Sequence, residues 1–299
     1  MKHLSGLVIF AAMMFCAPVV LPAQAASDRS DVPLEADSTD PASGMTKIVL
    51  VAGSFSKGHG KHEYFAGCAM FMNLLKQTPG IAPVMAAEGW PRNEKIFEGA
   101  KAIVFYLDGG GKQPYLTPER MALIDKLMAQ GVGMVQLHQT IDYPAEHTEH
   151  MLKWIGGVYV PGSSARGHWD GDFKDFIEHP ITRGVSPFKE NDGFLYKLKF
   201  ARGVTPVLRS RSPKERLTGT DDVIAWTYQR PDGGRSFGCT ACDGHEAWGL
   251  EGLRKFVING ILWSAGQEIP AGGTAVALNP EDLKKHLDPA PAKPAAKKK

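Results

Sequence analysis

Cysteine is scarce in this 299-residue sequence, which contains only four. Cys16 lies in an apolar N-terminal stretch, so a processed chain would keep Cys68, Cys239 and Cys242. Three cysteines are too few, and too odd a number, for the disulfide framework of a small secreted domain. The sequence therefore predicts a fold that depends on a hydrophobic core, with room for one disulfide between any two of the three.

Charge of one sign and several nucleotide and metal motifs are also missing. Lys and Arg number 34 against 32 for Asp and Glu, so no excess of positive charge indicates a nucleic-acid partner. The chain contains no GxGxxG fingerprint, no phosphate-binding P-loop and no HExxH motif. The sequence thus gives no support to a dinucleotide-binding, NTP-binding or zinc-protease function.

Long apolar runs are limited to the first residues of the chain. A weakly basic start precedes an apolar segment from Leu7 to Leu21, which is followed by the small-x-small sequence Ala23-Gln24-Ala25. This order predicts a secretory signal peptide over residues 1–25, cleavage near Ala25 and a periplasmic location. The apolar segment is short for a span of roughly 20 residues and no second one follows, so we expect no membrane span after cleavage.

Composition divides the mature chain into three parts. Residues 26–46 are polar, lack apolar periodicity and predict a flexible leader. Residues 267–299 are rich in Pro, Ala and Lys and predict a solvated tail that packs against nothing. The roughly 220 residues between them, 47–266, suffice for one domain with a complete core. No sequence feature indicates an oligomeric state.

Short apolar runs alternate with amphipathic segments along this domain. They predict buried strands at 47–53, 82–87, 102–106 and 133–138, and helices at 64–75, 118–130 and 250–265. Alternating segments at 168–173 and 224–228, and a turn at 231–234 before 235–241, make the second half less regular and richer in strands. The pattern predicts an α/β fold with a doubly wound, mostly parallel sheet, helices on both faces, and a site at the carboxyl ends of the strands.

The loop after the first predicted strand holds a polar cluster, His59, His62 and Glu63, at the start of the first helix. Free backbone N–H groups at a helix start favour an anion. His62 and Glu63 are therefore either a functional pair or ordinary loop and helix-start residues. A divalent metal ion held by His59 and His62 would need a third ligand from elsewhere, such as His138 or His245.

Two further strand ends carry candidate residues. His138 closes the fourth predicted strand, with Asp142 in the next loop, and a histidine in that position can transfer protons near neutral pH. Asp108 and Gly109 follow the third strand, where glycine allows a ligand to approach the backbone closely. A buried histidine bonded to the backbone and a helix-capping aspartate are the structural alternatives.

The second half of the domain contributes His245 and Trp169. His245 follows Cys239-Thr-Ala-Cys242, which has the spacing of half a zinc site, but no second pair completes it. Packed or disulfide-bonded cysteines are the favoured explanation for this spacing. Trp169 could stack on a sugar ring or lie half buried in its strand.

Several segments also carry a family likeness. They are KIVLVAG with GHGKHE, AIVFYLDGGG, GVGMVQLH, WIGG, HWDGDF, EHPITRGV, VIAWTYQRPDGGRSFG and the closing DGH. In this order and spacing, over residues 47–266, they resemble the ThuA-like (trehalose utilisation) family of the class I glutamine amidotransferase-like superfamily. The resemblance implies a flavodoxin-like fold. The superfamily has a nucleophilic cysteine at the turn that here reads Leu137-His138-Gln139, so these residues contradict glutaminase chemistry.

The resemblance further implies carbohydrate metabolism in the company of sugar dehydrogenases, and a small carbohydrate ligand. An enzyme acting on a sugar or keto-sugar would use His138 or Glu63 as base, with His62, His245 or a metal ion stabilising an enediolate. Alternatives are a non-catalytic binding module and a metal-dependent hydrolase.

Family members typically carry an acidic pair near residues 191–196. Gly193 stands where the second acid is expected, so only Asp192 is carried over as a substrate-binding candidate. The departure speaks against a two-carboxylate glycosidase mechanism at this segment.

Overall fold

The computed structural model describes residues 28–35, 44–213 and 222–290 and has a seven-stranded sheet at its centre. The strands of the chain are Thr46–Ala52 (β1), Ile81–Ala86 (β2), Ala100–Tyr106 (β3), Gly133–Leu137 (β4), Gly157–Val158 (β5), Ala165–Phe173 (β6), Phe188–Tyr196 (β7), Lys199–Phe200 (β8), Val204–Ser210 (β9), Asp222–Gln229 (β10) and Arg235–Cys239 (β11). The α-helices are Tyr64–Leu75 (α1), Pro118–Ala129 (α2), Thr148–Ile155 (α3) and Glu251–Ser264 (α4). Short 3₁₀ turns lie at Glu94–Phe97, His138–Ile141, Ala145–His147, Pro180–Thr182, His245–Gly249 and Pro280–Lys284.

The strand order in the large sheet is β2-β1-β3-β4-β11-β10-β9. Neighbours from β2 to β11 run parallel, whereas β10 and β9 extend the sheet in antiparallel fashion. Two separate ribbons, β6-β7 and β5-β8, complete the β-rich second half. The predicted α/β fold with a mostly parallel, flavodoxin-like sheet is confirmed.

Alternation along β1 divides the core into two layers. Ile48, Leu50 and Ala52 belong to the layer that α1 and α4 cover, while Val49 and Val51 belong to the layer under α2 and α3. Because the central strands are covered on both faces, their sequences are continuous apolar runs rather than alternating ones.

Local signals set the ends of the helices and strands. Helix α1 has the bounds that the sequence predicts. Thr117 caps α2 with its side chain, Pro118 occupies the first helical turn, and Gly131, with a φ of 78°, follows the helix end. Strand β4 ends one residue earlier than predicted, so His138 begins a 3₁₀ turn instead of closing the strand.

The segments on either side of the domain pack against it. Leu34 pairs with Met85 of β2, and Arg29 forms an ion pair with Asp288 at 2.7 Å. Ile269 is fully enclosed in the core layer of α1 and α4. The expected tail that packs against nothing is therefore wrong for residues 269–288, because scattered apolar and charged side chains find partners there. The described part of the predicted leader, residues 28–35, likewise contacts the domain.

The predicted signal peptide, residues 1–25, and the chain end, residues 291–299, lie outside the described residues. Within the described ranges no helix combines the length and apolar character that crossing a membrane requires.

Cys68, Cys239 and Cys242 are buried free thiols. Burial raises the pKa of Cys242 well above its ordinary value, and a hydrogen bond with Cys239 adds to the shift. The CxxC spacing is thus explained by packing, and no disulfide joins these three residues in the structure.

Candidate functional site

Four loops meet at the carboxyl edge of the parallel strands. His62 follows β1, Asp108 follows β3, His138 follows β4, and Asp243 follows β11. These strands are consecutive neighbours in the sheet, and the carboxyl ends of parallel strands face the same edge. The sheet order therefore joins residues that are far apart in the sequence.

His62, His138 and Asp243 form what we call the histidine–aspartate cluster. One nitrogen or oxygen atom from each lies within 4.8 Å of the other two. Oδ1 of Asp243 is 3.1 Å from Nε2 of His62 and 3.6 Å from Nε2 of His138. The imidazoles are only 1% and 3% exposed. The cluster is compact and largely shielded from water, and it contains an aspartate that the sequence analysis missed.

A backbone carbonyl orients His138. Its Nδ1 lies 2.8 Å from the carbonyl oxygen of Thr240, and because a carbonyl can only accept, Nδ1 carries the hydrogen. Nε2 then has the free lone pair and faces Asp243. Burial, reinforced by the neighbouring His62, lowers the pKa of His138 to about 4, so this imidazole is neutral at pH 7.

Three polar side chains surround the other ring. Nδ1 of His62 is 2.8 Å from the Tyr64 hydroxyl and 3.2 Å from Oδ1 of Asp108. Tyr64 and Ser56 both donate to Asp108, at 2.8 and 2.6 Å. Burial by itself would lower the pKa of His62, but its hydrogen bonds to Asp108 and Asp243 outweigh burial and raise it.

Both carboxylates of this region are ionised at neutral pH. Burial by itself would raise the pKa of Asp108 and Asp243, but hydrogen bonds, with His62 the first of them in each case, hold both values well below the usual range. Lys112 lies 3.0 Å from Asp108, and Lys61 lies 3.1 Å from Oδ2 of Asp243. Since Lys61 contacts Oδ2, Oδ1 is left to the two histidines.

The backbone is strained at the cluster. His62 and His138 have φ values of 54° and 52°, and Cys242, next to Asp243, has a φ of 84°. Residues other than glycine rarely adopt this left-handed region, and such strain concentrates at functional sites. The strained backbone is consistent with a functional need to hold the side chains of His62, His138 and Asp243 in these positions.

The cluster lies in the wall of an open cavity of about 440 Å³, a size typical of small-molecule sites. Besides the cluster, the cavity is lined by Lys57, Lys61, Gln139, Arg166, Gly167, His168, Gly193, Phe194 and Leu195. A larger cavity of about 610 Å³ lies at the amino ends of β3 and β4 and contains no histidine. We place the site at the smaller cavity because the convergent side chains are there.

Glu63 and His245, two of the four predicted catalytic residues, lie outside this cavity. The Glu63 carboxylate accepts hydrogen bonds from the backbone N–H groups of Gly60 and Asp288, each at 2.6 Å. Burial lowers the pKa of His245 to about 4, and its ring nitrogens make no hydrogen bond of normal geometry. Only His62 and His138 of the predicted four are brought together.

His59, predicted as a possible metal ligand, also lies apart from the cluster. Its Nδ1 is 3.0 Å from the backbone oxygen of Asp288, in the C-terminal segment. Of the four histidines considered as metal ligands, His62 and His138 lie together with Asp243, whereas His59 and His245 do not belong to this group.

Replacing Glu63 with glutamine is expected to lower the free energy of unfolding by about 1–3 kcal/mol, because an amide NH₂ would face a buried N–H donor. Urea unfolding of the full chain measures the change. The exposed Glu246→Gln provides a matched control with no expected loss. Unfolding of Glu63→Gln indistinguishable from wild type would show that these hydrogen bonds contribute nothing.

The predicted substrate residues near β3 and β4 hold neighbouring residues of the site in place and do not themselves line the cavity. The Asp142 carboxylate pairs with Arg166, which lines the cavity. A Cβ atom at Gly109 would lie 2.1 Å from the backbone oxygen of Gln139, so this glycine allows two loops to pack together. Asp108 orients His62 through Nδ1 and lies behind the cluster rather than in the cavity lining.

Trp169 is a core residue in the structure. It is 4% exposed, its Nε1 donates to Ser210 at 2.9 Å, and its ring packs on Phe194 with centroids 4.5 Å apart. This burial argues against the predicted stacking on a sugar ring.

Asp192 is fully buried and supports the cluster from below. Its carboxylate accepts hydrogen bonds from the backbone N–H groups of Gly193, Cys242, Asp243 and Gly244 at 2.7–3.3 Å. Burial raises the pKa of nearby Glu190 well above its usual range, and the charge of Asp192 adds to the shift. Asp192 thus holds the loop that presents Asp243 and does not line the cavity.

Asp243 could have been found from its place in the chain. It belongs to the DGH segment of the family likeness and follows the carboxyl end of β11 by four residues, where the site was expected. The sequence does not show that β11 lies beside β4. The turn at 231–234 predicts an antiparallel hairpin of β10 with β11, but it does not predict the parallel pairing of β11 with β4.

Comparisons with known proteins agree with this architecture. The sequence model of the ThuA family, described as trehalose utilisation, matches residues 49–264. A ThuA-like protein of Bacteroides uniformis superposes with a TM-score of 0.55 at 15% identity, over 75% of this chain and 92% of that one. One from Parabacteroides merdae gives a TM-score of 0.51 at 14% identity, over 80% and 99%. No curated protein matches the sequence.

At these identities the two structures establish the fold alone, whereas the sequence model spans most of the chain. The protein therefore belongs to the ThuA family, and this membership points to a carbohydrate-related function.

Proposed function

We propose that this protein is an exported enzyme that acts on a sugar or keto-sugar glycoside by acid/base chemistry at the histidine–aspartate cluster. One observation carries the proposal: two buried imidazoles, each held through Nδ1, direct both Nε2 atoms and a carboxylate oxygen to one point in an open cavity. A binding module needs no such convergence, since hydroxyl groups of a sugar can be bound by ordinary surface donors and acceptors.

The proposed reaction depends on proton acceptors in the histidine–aspartate cluster and on the cationic hydrogen-bond donors that line the same cavity. A lone-pair atom of the cluster, or a water molecule that the cluster activates, takes a proton from the carbon next to the sugar carbonyl. The C–H electrons form an enediolate, whose negative oxygen is stabilised by positive charge in the site. Elimination then breaks the C–O bond at the neighbouring carbon, and the departing oxygen receives a proton. Addition of water to the resulting double bond completes a net hydrolysis.

The side chains that line the cavity suit a polar ligand that is either uncharged or negatively charged. Lys57, Lys61 and Arg166 supply hydrogen-bond donors and positive charge around the cluster. His168 also lines the cavity and can donate or accept a hydrogen bond. Its Nε2 lies 2.6 Å from Oδ1 of Asn191. These groups suit the hydroxyl and carbonyl oxygens of a carbohydrate.

Incubation with disaccharides and with their keto derivatives in D₂O tests the proposal. We expect deuterium incorporation next to the carbonyl and cleavage of the keto-glycoside, both followed by NMR, with little reaction of unoxidised sugars. Tight sugar binding with no exchange and no cleavage would instead identify a non-catalytic binding module. N-terminal sequencing of protein from the periplasmic fraction tests export, with a start near Ala26 expected.

Gly193 provides a test of how much the position of Asp243 matters. A Cβ atom at Gly193 would lie 2.8 Å from Oδ2 of Asp243, whereas one at Gly244, the residue after Asp243, would meet no atom nearer than 3.8 Å. We expect Gly193→Ala to push the carboxylate aside and lower kcat/KM by roughly 10- to 100-fold. Gly244→Ala should match wild type. Equal rates for all three proteins would show that the carboxylate position is unimportant.

A further inference from the structure

Two of the three atoms that converge in the cluster, Oδ1 of Asp243 and Nε2 of His138, face each other as hydrogen-bond acceptors. The Asp243 carboxylate accepts from Lys61, and in the neutral ring of His138 Nε2 carries the lone pair because the Nδ1 hydrogen is donated to the Thr240 carbonyl. These two acceptors face each other at 3.6 Å with no hydrogen between them. Two lone pairs at this separation repel each other unless a proton or a metal cation lies between them.

The surroundings of His62 lead to the same assignment of hydrogens. The hydroxyls of Tyr64 and Ser56 donate their hydrogens to Asp108. The two hydroxyl oxygens and the carboxylate oxygen that surround Nδ1 of His62 can therefore only accept a hydrogen bond from it. Nδ1 of His62 therefore carries a hydrogen, and Nε2 has a lone pair unless the ring is fully protonated. A second proton on His62 would satisfy its own contact with Asp243 at 3.1 Å, but would leave His138 and Asp243 without a bridge.

We propose that the histidine–aspartate cluster binds a divalent transition-metal ion through Nε2 of His62, Nε2 of His138 and Oδ1 of Asp243. A metal ion is a single cation that can contact all three atoms at once, which a proton cannot do. Within residues 28–35, 44–213 and 222–290, this is the one group of three such side chains whose ligand atoms converge.

The partners behind the ligands are those that metal sites use. A metal-bound histidine almost always donates its second N–H to a carboxylate or a backbone carbonyl, which fixes the ring and the tautomer. His62 has Asp108 in this place and His138 has Thr240. Lys61 neutralises the other oxygen of Asp243, and its side chain is 55% exposed, so water screens its repulsion of the ion.

The donor set indicates the class of metal. Two imidazole nitrogens and one carboxylate oxygen suit Zn²⁺, Fe²⁺, Co²⁺ or Mn²⁺, whereas Ca²⁺ and Mg²⁺ prefer oxygen ligands. Three protein ligands leave a position open toward the cavity, as in catalytic rather than structural zinc sites.

This inference deepens the function proposed above by naming the group that activates water in the same site. A water molecule on the ion would ionise to hydroxide near neutral pH, take the proton from the sugar carbon and return to water. The ion would also stabilise the enediolate oxygen. His62 and His138 are then ligands, and their proton-accepting role passes to the bound hydroxide.

Titration of the chelator-treated full chain with Zn²⁺ by calorimetry tests the site directly. We expect one ion per chain, and a rise in the unfolding temperature on addition of Zn²⁺ that EDTA reverses. His138→Asn and Asp243→Asn should each bind Zn²⁺ more than about 100-fold more weakly than wild type. Asparagine suits position 138 because it tolerates a positive φ.

His168→Ala is the matched control, since His168 lines the same cavity but lies outside the cluster. Its Zn²⁺ affinity should equal that of wild type. Asp108→Asn leaves all three ligands in place and should weaken binding by roughly 10- to 100-fold, which keeps the test valid if a ligand variant fails to fold.

Absence of Zn²⁺, Co²⁺, Fe²⁺ and Mn²⁺ binding by the wild-type chain would overturn the inference, as would unchanged affinity in folded Asp243→Asn. The two proposals can fail separately. Turnover of a keto-sugar by metal-free protein would contradict the role of a metal ion but support the proposed enzymatic activity. Binding of one metal ion per chain without turnover of any sugar would support the metal site and contradict the proposed reaction.

Discussion

Replacing His138 with asparagine is expected to lower kcat/KM on any carbohydrate that the protein turns over by roughly 10²- to 10⁴-fold. The imidazole contributes one of the three convergent atoms, and the shorter asparagine side chain has no atom that reaches the position of Nε2. The effect should fall on kcat more than on KM, because Nε2 serves the proton transfer, directly or through a bound metal ion, rather than the binding of the sugar. Steady-state kinetics with the best keto-sugar substrate measures it.

Stability should change much less than activity in this variant. The hydrogen bond from Nδ1 to Thr240 costs about 1 kcal/mol where it is lost, and the asparagine amide N–H can donate to the same carbonyl. His150→Asn is the control, since His150 is half-buried, pairs with Asp125 and lies away from the cavity. Full activity in folded His138→Asn would remove the cluster from the mechanism.

Replacing Asp192 with alanine is expected to lower the free energy of unfolding by at least about 3 kcal/mol. Four backbone N–H groups would lose their acceptor at once, and the side chain that supplies it is completely buried. Each unsatisfied buried donor costs about 1–3 kcal/mol, although partial rearrangement of the loop reduces the sum. Urea unfolding monitored by tryptophan fluorescence measures the loss.

Asp192→Asn should fall between alanine and wild type, because the amide keeps one acceptor oxygen and replaces the other with a donor. The exposed Asp172→Ala, on the neighbouring strand β6, should stay within about 0.5 kcal/mol of wild type. The same loop carries Asp243, so we also expect the Asp192 variants to bind Zn²⁺ more weakly. An unfolding curve of Asp192→Ala that overlays wild type would show that these four hydrogen bonds do not hold the loop.

Much of the architecture follows from local patterns that a sequence displays directly. Continuous apolar runs mark β1, β3 and β4 because these strands are buried on both faces, and Thr117 with Pro118 marks the start of α2 because capping acts over a single turn. Given parallel strands, the site had to lie at their carboxyl ends, which is where His62 and His138 are found.

Other residues show where local patterns are insufficient. Glu63 and His245 have the chemistry of catalytic groups, but the C-terminal segment covers Glu63 and burial isolates the His245 ring. Trp169 is one residue of a strand whose alternation was read correctly, yet the packing of Phe194 and Ser210 decides that its ring is enclosed. In each case the deciding partner is distant in the sequence.

The sequence by itself determined the fold class, the approximate bounds of β1–β4, α1, α2 and α4, and the edge of the sheet at which His62 and His138 lie. These depend on periodicity, capping and chain direction, which neighbouring residues encode. Only the tertiary structure decided that Asp243 joins His62 and His138, that Asp192 holds the Asp243 loop, and that Gly193 leaves space for its carboxylate. Those contacts depend on β11 lying beside β4 and on atoms packed within a few ångströms, which no local pattern specifies.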